Sequence, residues 1–151
     1  LEVKGLKWES RYSWDADRSI FFNASTASAK DPESGRKTGD IAPFKANLGV
    51  EANLGKGLYL YGRAHYVSAR DTVNFDSASI YVVPRVGSYV TTDLTLSWRE
   101  PVPGLDISLS IYNLLDEVYY DPGPRSADGK KYNAAIIQEP RHGFLHVRYR
   151  F

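Results

Sequence analysis

His142 and His146 stand four residues apart, the spacing that lets two imidazoles on one helical turn close on a zinc ion. Along a strand the same spacing separates them by roughly 13 Å, and position 143, where a zinc-helix motif carries Glu, is Gly143. His65 stands alone in the sequence, so a metal there would need ligands brought together by the fold. The run Gly35-Arg36-Lys37-Thr38-Gly39 is rich in phosphate-friendly types but lacks the spacing of a phosphate loop and no helical pattern follows it. Ser and Asp are plentiful, yet there is no Gly-x-Ser-x-Gly elbow. With no cysteine, thiolate metal sites, cysteine nucleophiles and disulfides are excluded. Asn23-Ala24-Ser25 matches a glycosylation sequon but falls inside a strand pattern. The residues therefore predict no enzyme, no cofactor and no metal site.

The elements that carry these residues have a period of two. Val90, Thr92, Leu94, Leu96 and Trp98 alternate with Thr91, Asp93, Thr95, Ser97 and Arg99. Phe44 to Leu54, Leu105 to Tyr112, Leu145 to Phe151 and Leu6 to Trp14 alternate in the same way; residues 58 to 69 do so less cleanly, and 19 to 30 least. Seven strands follow, at about 3–14, 19–30, 43–54, 58–69, 88–99, 105–115 and 140–151. Each is 11 or 12 residues long, enough for a tilted crossing of a bilayer core, which takes about 9 to 11.

The 151 residues carry 19 Lys and Arg against 18 Asp and Glu, a balance with no basic stripe for nucleic acid. The longest apolar runs are four residues (58–61, 80–83, 134–137), far short of the roughly 20 a spanning helix needs. The connections alternate between short (15–18, 55–57, 100–104) and long (31–42, 70–87, 116–139). Tight turns at one end and long loops at the other are the pattern of an outer-membrane barrel. The better-patterned strands carry no charge in the middle of their apolar face; Lys7, Glu9, Arg11, Lys45, Glu51, Arg63, Asp93, Arg99, Asp106, Arg148 and Arg150 lie on the other. Lys45, Glu51, Arg63, His65, Asp93, Arg99, Arg148 and Arg150 are the candidate lumen-lining residues. Trp14, Trp98, Tyr149 and Phe151 lie near the short-turn end, where an aromatic girdle belongs. In the last long loop Tyr119, Tyr120, Arg125, Lys130, Lys131 and Tyr132 could offer aromatic and cationic groups to a ligand, because binding residues concentrate on loops held by a rigid scaffold.

Three stretches resemble the C-terminal end of the TonB-dependent outer-membrane receptors. They are Ser88 to Leu96, then Leu109 to Tyr112 with the run Asn113-Leu114-Leu115-Asp116-Glu117-Val118-Tyr119-Tyr120-Asp121-Pro122-Gly123, and Pro140-Arg141-His142-Gly143 through Arg148-Tyr149-Arg150-Phe151. A fourth, Pro43-Phe44-Lys45-Ala46-Asn47, is also family-like. The family motif falls on Asn113, Leu114, Asp116, Tyr119 and Tyr120; Leu115 stands where an aromatic is usual, and Arg141-His142-Gly143 departs from the common Gly-Arg order. The resemblance implies an all-β, antiparallel transmembrane β-barrel of about 22 strands, of which this chain is the C-terminal seven-strand portion. An N-terminal plug and about 15 strands would precede Leu1, consistent with the lack of an initiator Met. It also implies import of a scarce ligand such as an iron-siderophore or cobalamin, driven through a TonB complex. The terminal strand, with Gly143, Leu145, Val147, Tyr149 and Phe151, would be an assembly signal for the barrel-assembly machinery. Outer-membrane lipid and the plug are the other partners, and the C-terminus would be periplasmic.

Two rivals stand beside this reading. A complete eight-strand outer-membrane barrel needs another crossing, and only residues 79–83 could supply it. A soluble β-barrel or sandwich binding a small ligand would put the apolar face inside, but gives no reason for alternating loop lengths.

Overall fold

The computed structural model describes residues 2–30, 32–33, 39–72, 85–123 and 135–151. The described residues form strands and turns with no helix. The strands are β1 (Glu2–Ser13), β2 (Arg18–Lys30), β3 (Phe44–Gly55), β4 (Leu58–Val67), β5 (Arg70–Asp71), β6 (Arg85–Val86), β7 (Tyr89–Arg99), β8 (Leu105–Tyr112), β9 (Tyr120–Pro122), β10 (Ala135–Ile137) and β11 (His142–Tyr149). Seven of them make one antiparallel sheet in the order β1-β2-β3-β4-β7-β8-β11. The other four form two small ribbons, β5 with β6 and β9 with β10, within the second and third long connections.

The register carries the alternation across the whole sheet. Trp8 opposes Ala24, Phe22 opposes Leu48, Leu48 opposes Ala64, Leu60 opposes Leu96, Leu96 opposes Leu109 and Leu109 opposes Leu145. Side chains directly opposite share a face, so one surface is apolar over all seven strands. The poorly patterned strand is resolved by its neighbours: Ile20, Phe22 and Ala24 join the apolar face, Ser19, Phe21 and Asn23 the polar one. A single-layer sheet has no second layer to bury that surface, and Leu6 and Leu145 remain 73% and 68% exposed.

Strand lengths depart from the expected 11 or 12 residues. β1, β3 and β7 conform, whereas β2 has 13, β4 has 10, and β8 and β11 have 8 each. The strand expected at 105–115 stops at Tyr112 because Asn113 turns into the left-handed region, with φ of 49°, a conformation Asn tolerates better than most residues. The strand expected at 140–151 begins later because Pro140 has no N–H to donate and the Arg141 N–H is taken by Asp116 Oδ1 at 2.9 Å. Residues 79–83 lie outside the described residues.

The short turns are tight. Gly55, Lys56 and Gly57 all have positive φ (90°, 52° and 76°), and Trp98 at the foot of β7 donates its indole N–H to the Lys56 carbonyl at 3.2 Å. The packed core lies at the opposite end, where Ala42, Val67 and Tyr89 are buried together with Tyr119 against them. On the polar face, the Phe21 ring fills the space beside Gly49: a Cβ at position 49 would collide with the ring and sit 2.9 Å from the Gly62 carbonyl oxygen. Phe21 also stacks on Tyr61, with centroids 6.2 Å apart.

Candidate functional site

The candidate site is the polar face and the rim above it. The strands bring together residues far apart in sequence, because each cross-strand step places a new side chain about 4.8 Å from the last. Arg11 on β1 reaches across β2 to Glu51 on β3 (2.7 Å), touching Ser19 Oγ at 3.0 Å on the way. Arg63 on β4 pairs with the directly opposed Asp93 on β7 at 2.5 Å. His65 donates from Nδ1 to Asn47 Oδ1 at 2.8 Å. Between the charged rows run neutral hydroxyl pairs, Thr95 with Ser110 (2.9 Å) and Ser97 with Ser108 (3.0 Å). Near the short turns Arg99 lies over the Tyr59 ring at 4.4 Å and Arg150 pairs with Asp106 at 3.1 Å.

Asn113 organises the rim and is almost fully buried. Its Oδ1 accepts from the Glu117 N–H at 2.9 Å, and its Nδ2 donates to the carbonyls of Glu117 (2.9 Å) and Glu139 (3.4 Å). Its own N–H donates to Asp93 Oδ1 at 3.2 Å, and the following Leu114 N–H donates to the Thr92 carbonyl at 2.7 Å. Asp116, also at positive φ (58°), receives the Arg141 N–H. The run from Asn113 to Asp116 thus clasps β7, β8 and the approach to β11.

The three long connections meet at β5. The Asp40 N–H of the first donates to the Asp71 carbonyl at 2.7 Å. The buried Arg70 guanidinium ion-pairs with Asp121 of the third. Tyr89 donates its hydroxyl to the same Asp121 oxygen at 3.1 Å and packs its ring on Tyr119, centroids 4.4 Å apart. Burial, aided by the Asp121 carboxylate, pushes the Tyr119 phenol above its ordinary pKa. Below this knot a cleft of about 440 Å³ opens between Arg63, His65, Tyr112, Tyr119, Glu139 and His142.

The register puts Lys45, Glu51, Arg63, His65, Asp93, Arg99 and Arg148 on the polar face, with Arg150 just beyond the end of β11. Gly143, Leu145, Val147 and Tyr149 lie on the apolar face, followed by the exposed Phe151. His142 and His146 both face the polar side but do not converge: His142 stacks on Tyr112 (5.2 Å) and bonds the Pro140 carbonyl at 2.9 Å. Among the described residues no group of three or more His, Asp or Glu could hold a metal. Tyr120 is partly exposed on β9. Arg125, Lys130, Lys131 and Tyr132, and the run 35–38, lie outside the described residues. Sequence reasoning missed Arg70; Tyr89 and Asp121 fall within the family-like stretches, but nothing in the sequence marked their pairing with it, which spans 51 residues between Arg70 and Asp121.

A family model described as TonB dependent receptor-like, beta-barrel matches residues 1–114. The chain belongs to the TonB-dependent receptor β-barrel family. Solved structures agree on the fold. The ferric-catecholate import receptor Fiu from E. coli K12 superposes with a TM-score of 0.73 at 16% identity, over 99% of this chain and 21% of its own. The ferric yersiniabactin uptake receptor FyuA from Yersinia pestis gives 0.72 at 19% identity, over 99% and 23%. The copper transporter OprC gives 0.74 at 14% identity, also over 99% and 23%. The chain spans about a fifth of the length of such receptors. No curated protein matches it. The family model ends at residue 114, at the start of the run whose hydrogen bonds clasp the rim of this chain.

Proposed function

We propose that this chain is the C-terminal seven-strand part of the barrel of a TonB-dependent receptor, embedded in the outer membrane of a bacterium. The observation that carries the reading is an apolar face continued across all seven strands with no charge in its middle, bounded at the short-turn end by Trp98 and Tyr149. In lipid that face needs no second layer, and the unpaired edges of β1 and β11 would be satisfied by neighbouring strands of a closed barrel, since an open edge in hydrocarbon costs several kcal/mol per unsatisfied group. The polar face then lines a wet lumen occupied by a plug, with the long connections outside the cell and the C-terminus periplasmic.

The whole receptor would import a scarce ligand with energy passed through TonB. The neighbours named for ferric chelates favour an iron-siderophore over cobalamin, and Tyr119, Tyr120 and the cleft beneath them offer aromatic and cationic groups to an anionic chelate. The test is uptake by cells expressing the full-length receptor in a host lacking its own receptors, with radio-iron on a catecholate, radio-iron on a hydroxamate, and labelled cyanocobalamin as probes. Uptake of one probe that stops when TonB is deleted is expected; uptake of none of them overturns the reading.

The terminal strand would also serve assembly, its ridge of Leu145, Val147, Tyr149 and Phe151 being recognised by the barrel-assembly machinery with room at Gly143, where a Cβ would sit 3.1 Å from the Ser110 carbonyl oxygen. Deleting Phe151 from the full-length receptor should lower the folded protein recovered from outer membranes severalfold, and an unchanged yield would remove the assembly role.

A further inference from the structure

β8 and β11, the last two strands of the sheet, have 8 residues each, where a tilted membrane strand needs about 9 to 11. Eight residues cover about 27 Å along a strand. At a tilt of about 45° that is about 19 Å of height, against an apolar band about 25 Å tall. Tyr149, at the short-turn end, opposes Leu105, the first residue of β8, so the shortfall lies at the other end, at Asn113. There the chain leaves the ladder with its backbone still bonded: the Leu114 N–H meets the Thr92 carbonyl at 2.7 Å and the Glu117 N–H meets Asn113 Oδ1 at 2.9 Å. The side chains it presents are apolar and open, with Val118 67% and Ile137 62% exposed beside Leu115. Continued past the pair of Leu94 with Ile111, the β7–β8 register sets Leu115 opposite Val90, which opposes Tyr66 on the apolar face. In the β9–β10 ribbon Tyr120 opposes Ile137, so the two share a face. The other face carries Tyr119 and Asp121, which border the cleft of the polar side; none of Leu115, Val118, Tyr120 and Ile137 borders it. The ribbon thus turns one side to the cleft and an apolar side away from it.

We propose that Leu115, Val118, Tyr120 and Ile137 form a shallow apolar anchor that seats the third long connection in the outer leaflet, against acyl chains just below the headgroups. The inference rests on the reading of the apolar face as the lipid face, and extends that face beyond the strands. Lipid is the occupant because the patch continues the apolar face past Val90 at the place where the strands end before the band does. The Asn113 clasp takes up backbone groups that the lost ladder would leave open, as that depth requires. Asp116, Glu117 and Arg141 beside the patch are all exposed, which suits a boundary with headgroups rather than the centre of the hydrocarbon.

Nitroxide labels on single cysteines test this in the full-length receptor, held in phosphatidylcholine bilayer discs whose two faces are both open to solvent. The chain has no cysteine of its own, and any cysteine elsewhere in the receptor is replaced by serine. Leu115→Cys and Ile137→Cys are read beside Leu48→Cys in the middle of the apolar face and Asp17→Cys in an exposed short turn. The measurement is the collision of each label with dissolved oxygen, which concentrates in lipid, relative to a water-soluble nickel chelate. Labels at 115 and 137 are expected to favour oxygen at a depth of about 5 to 10 Å, that of interfacial anchors, with the label at 48 deeper and that at 17 open to the chelate. A label at 115 or 137 as open to the chelate as the one at 17, or shielded from both reagents by a second copy or another protein, overturns the anchor and leaves the lipid-facing reading intact while 48 favours oxygen. A label at 48 that does not favour oxygen overturns both.

Discussion

Leu48→Arg is expected to cost the full-length receptor about 2 to 4 kcal/mol of folding free energy in lipid vesicles, the scale for a guanidinium at the bilayer midplane. Leu48 lies halfway along β3 with Phe22 and Ala64 on either side, and half of its surface is open. Two comparisons give the prediction its edge. Asn47→Arg, one residue away, points to the polar face between Asn23 and His65 and should change stability by less than about 1 kcal/mol, as surface substitutions usually do. Leu58→Arg is on the apolar face but opposes Trp98 at the short-turn end, where the penalty falls to about 0 to 1 kcal/mol. Urea unfolding of the three variants reads this gradient. Equal penalties at positions 48 and 58 would mean that the apolar face packs against protein rather than lipid, as in the soluble alternative.

Asn113→Ala should destabilise the receptor by about 3 kcal/mol. The change removes the part-buried bonds of the Asn113 amide to the Glu117 N–H and to the Glu117 and Glu139 carbonyls, together about 1 to 2 kcal/mol at the net worth of ordinary hydrogen bonds, and forces alanine into a left-handed conformation at about 1 to 2 kcal/mol. The two causes separate experimentally. Asn113→Gly removes the side chain but accepts the φ of 49°, so it should recover about 1 kcal/mol of the loss. Protease cleavage within 113–141 should rise in step with the measured loss. An alanine variant as stable as the parent would show that the clasp closes without its side chain.

The two faces of the sheet were legible because apolar and polar side chains alternate at every second residue, and seven strands repeat the signal. What the pattern could not give was strand ends. Those depend on Asn113 and Pro140, single residues whose backbone chemistry stops a ladder that periodicity alone would extend. The rim was illegible for a different reason. β5, β6, β9 and β10 have two or three residues each, too few for a period, and the Arg70–Asp121–Tyr89 cluster is assembled only by the fold. The motif at Asn113–Tyr120 could be found by resemblance, but its work as a clasp became visible only in its hydrogen bonds. Leu115 is 71% exposed and makes no bond of the clasp. The two imidazoles four apart lie along one strand, and His142 stacks on Tyr112.

The ring of Phe21 resting on Gly49 has a consequence for how the chain avoids mispairing. A one-residue shift between β2 and β3 is forbidden by the faces, since it would turn every apolar side chain inward. A two-residue shift keeps every face correct and is invisible to that safeguard. In such a shifted hairpin Phe21 would stand opposite Asn47 or Glu51 rather than bare backbone, and its ring would lose the only gap in that column of β3. Glycine here acts as a keyhole: it lets the hairpin distinguish its true alignment from the nearest alignments that hydrophobicity would accept.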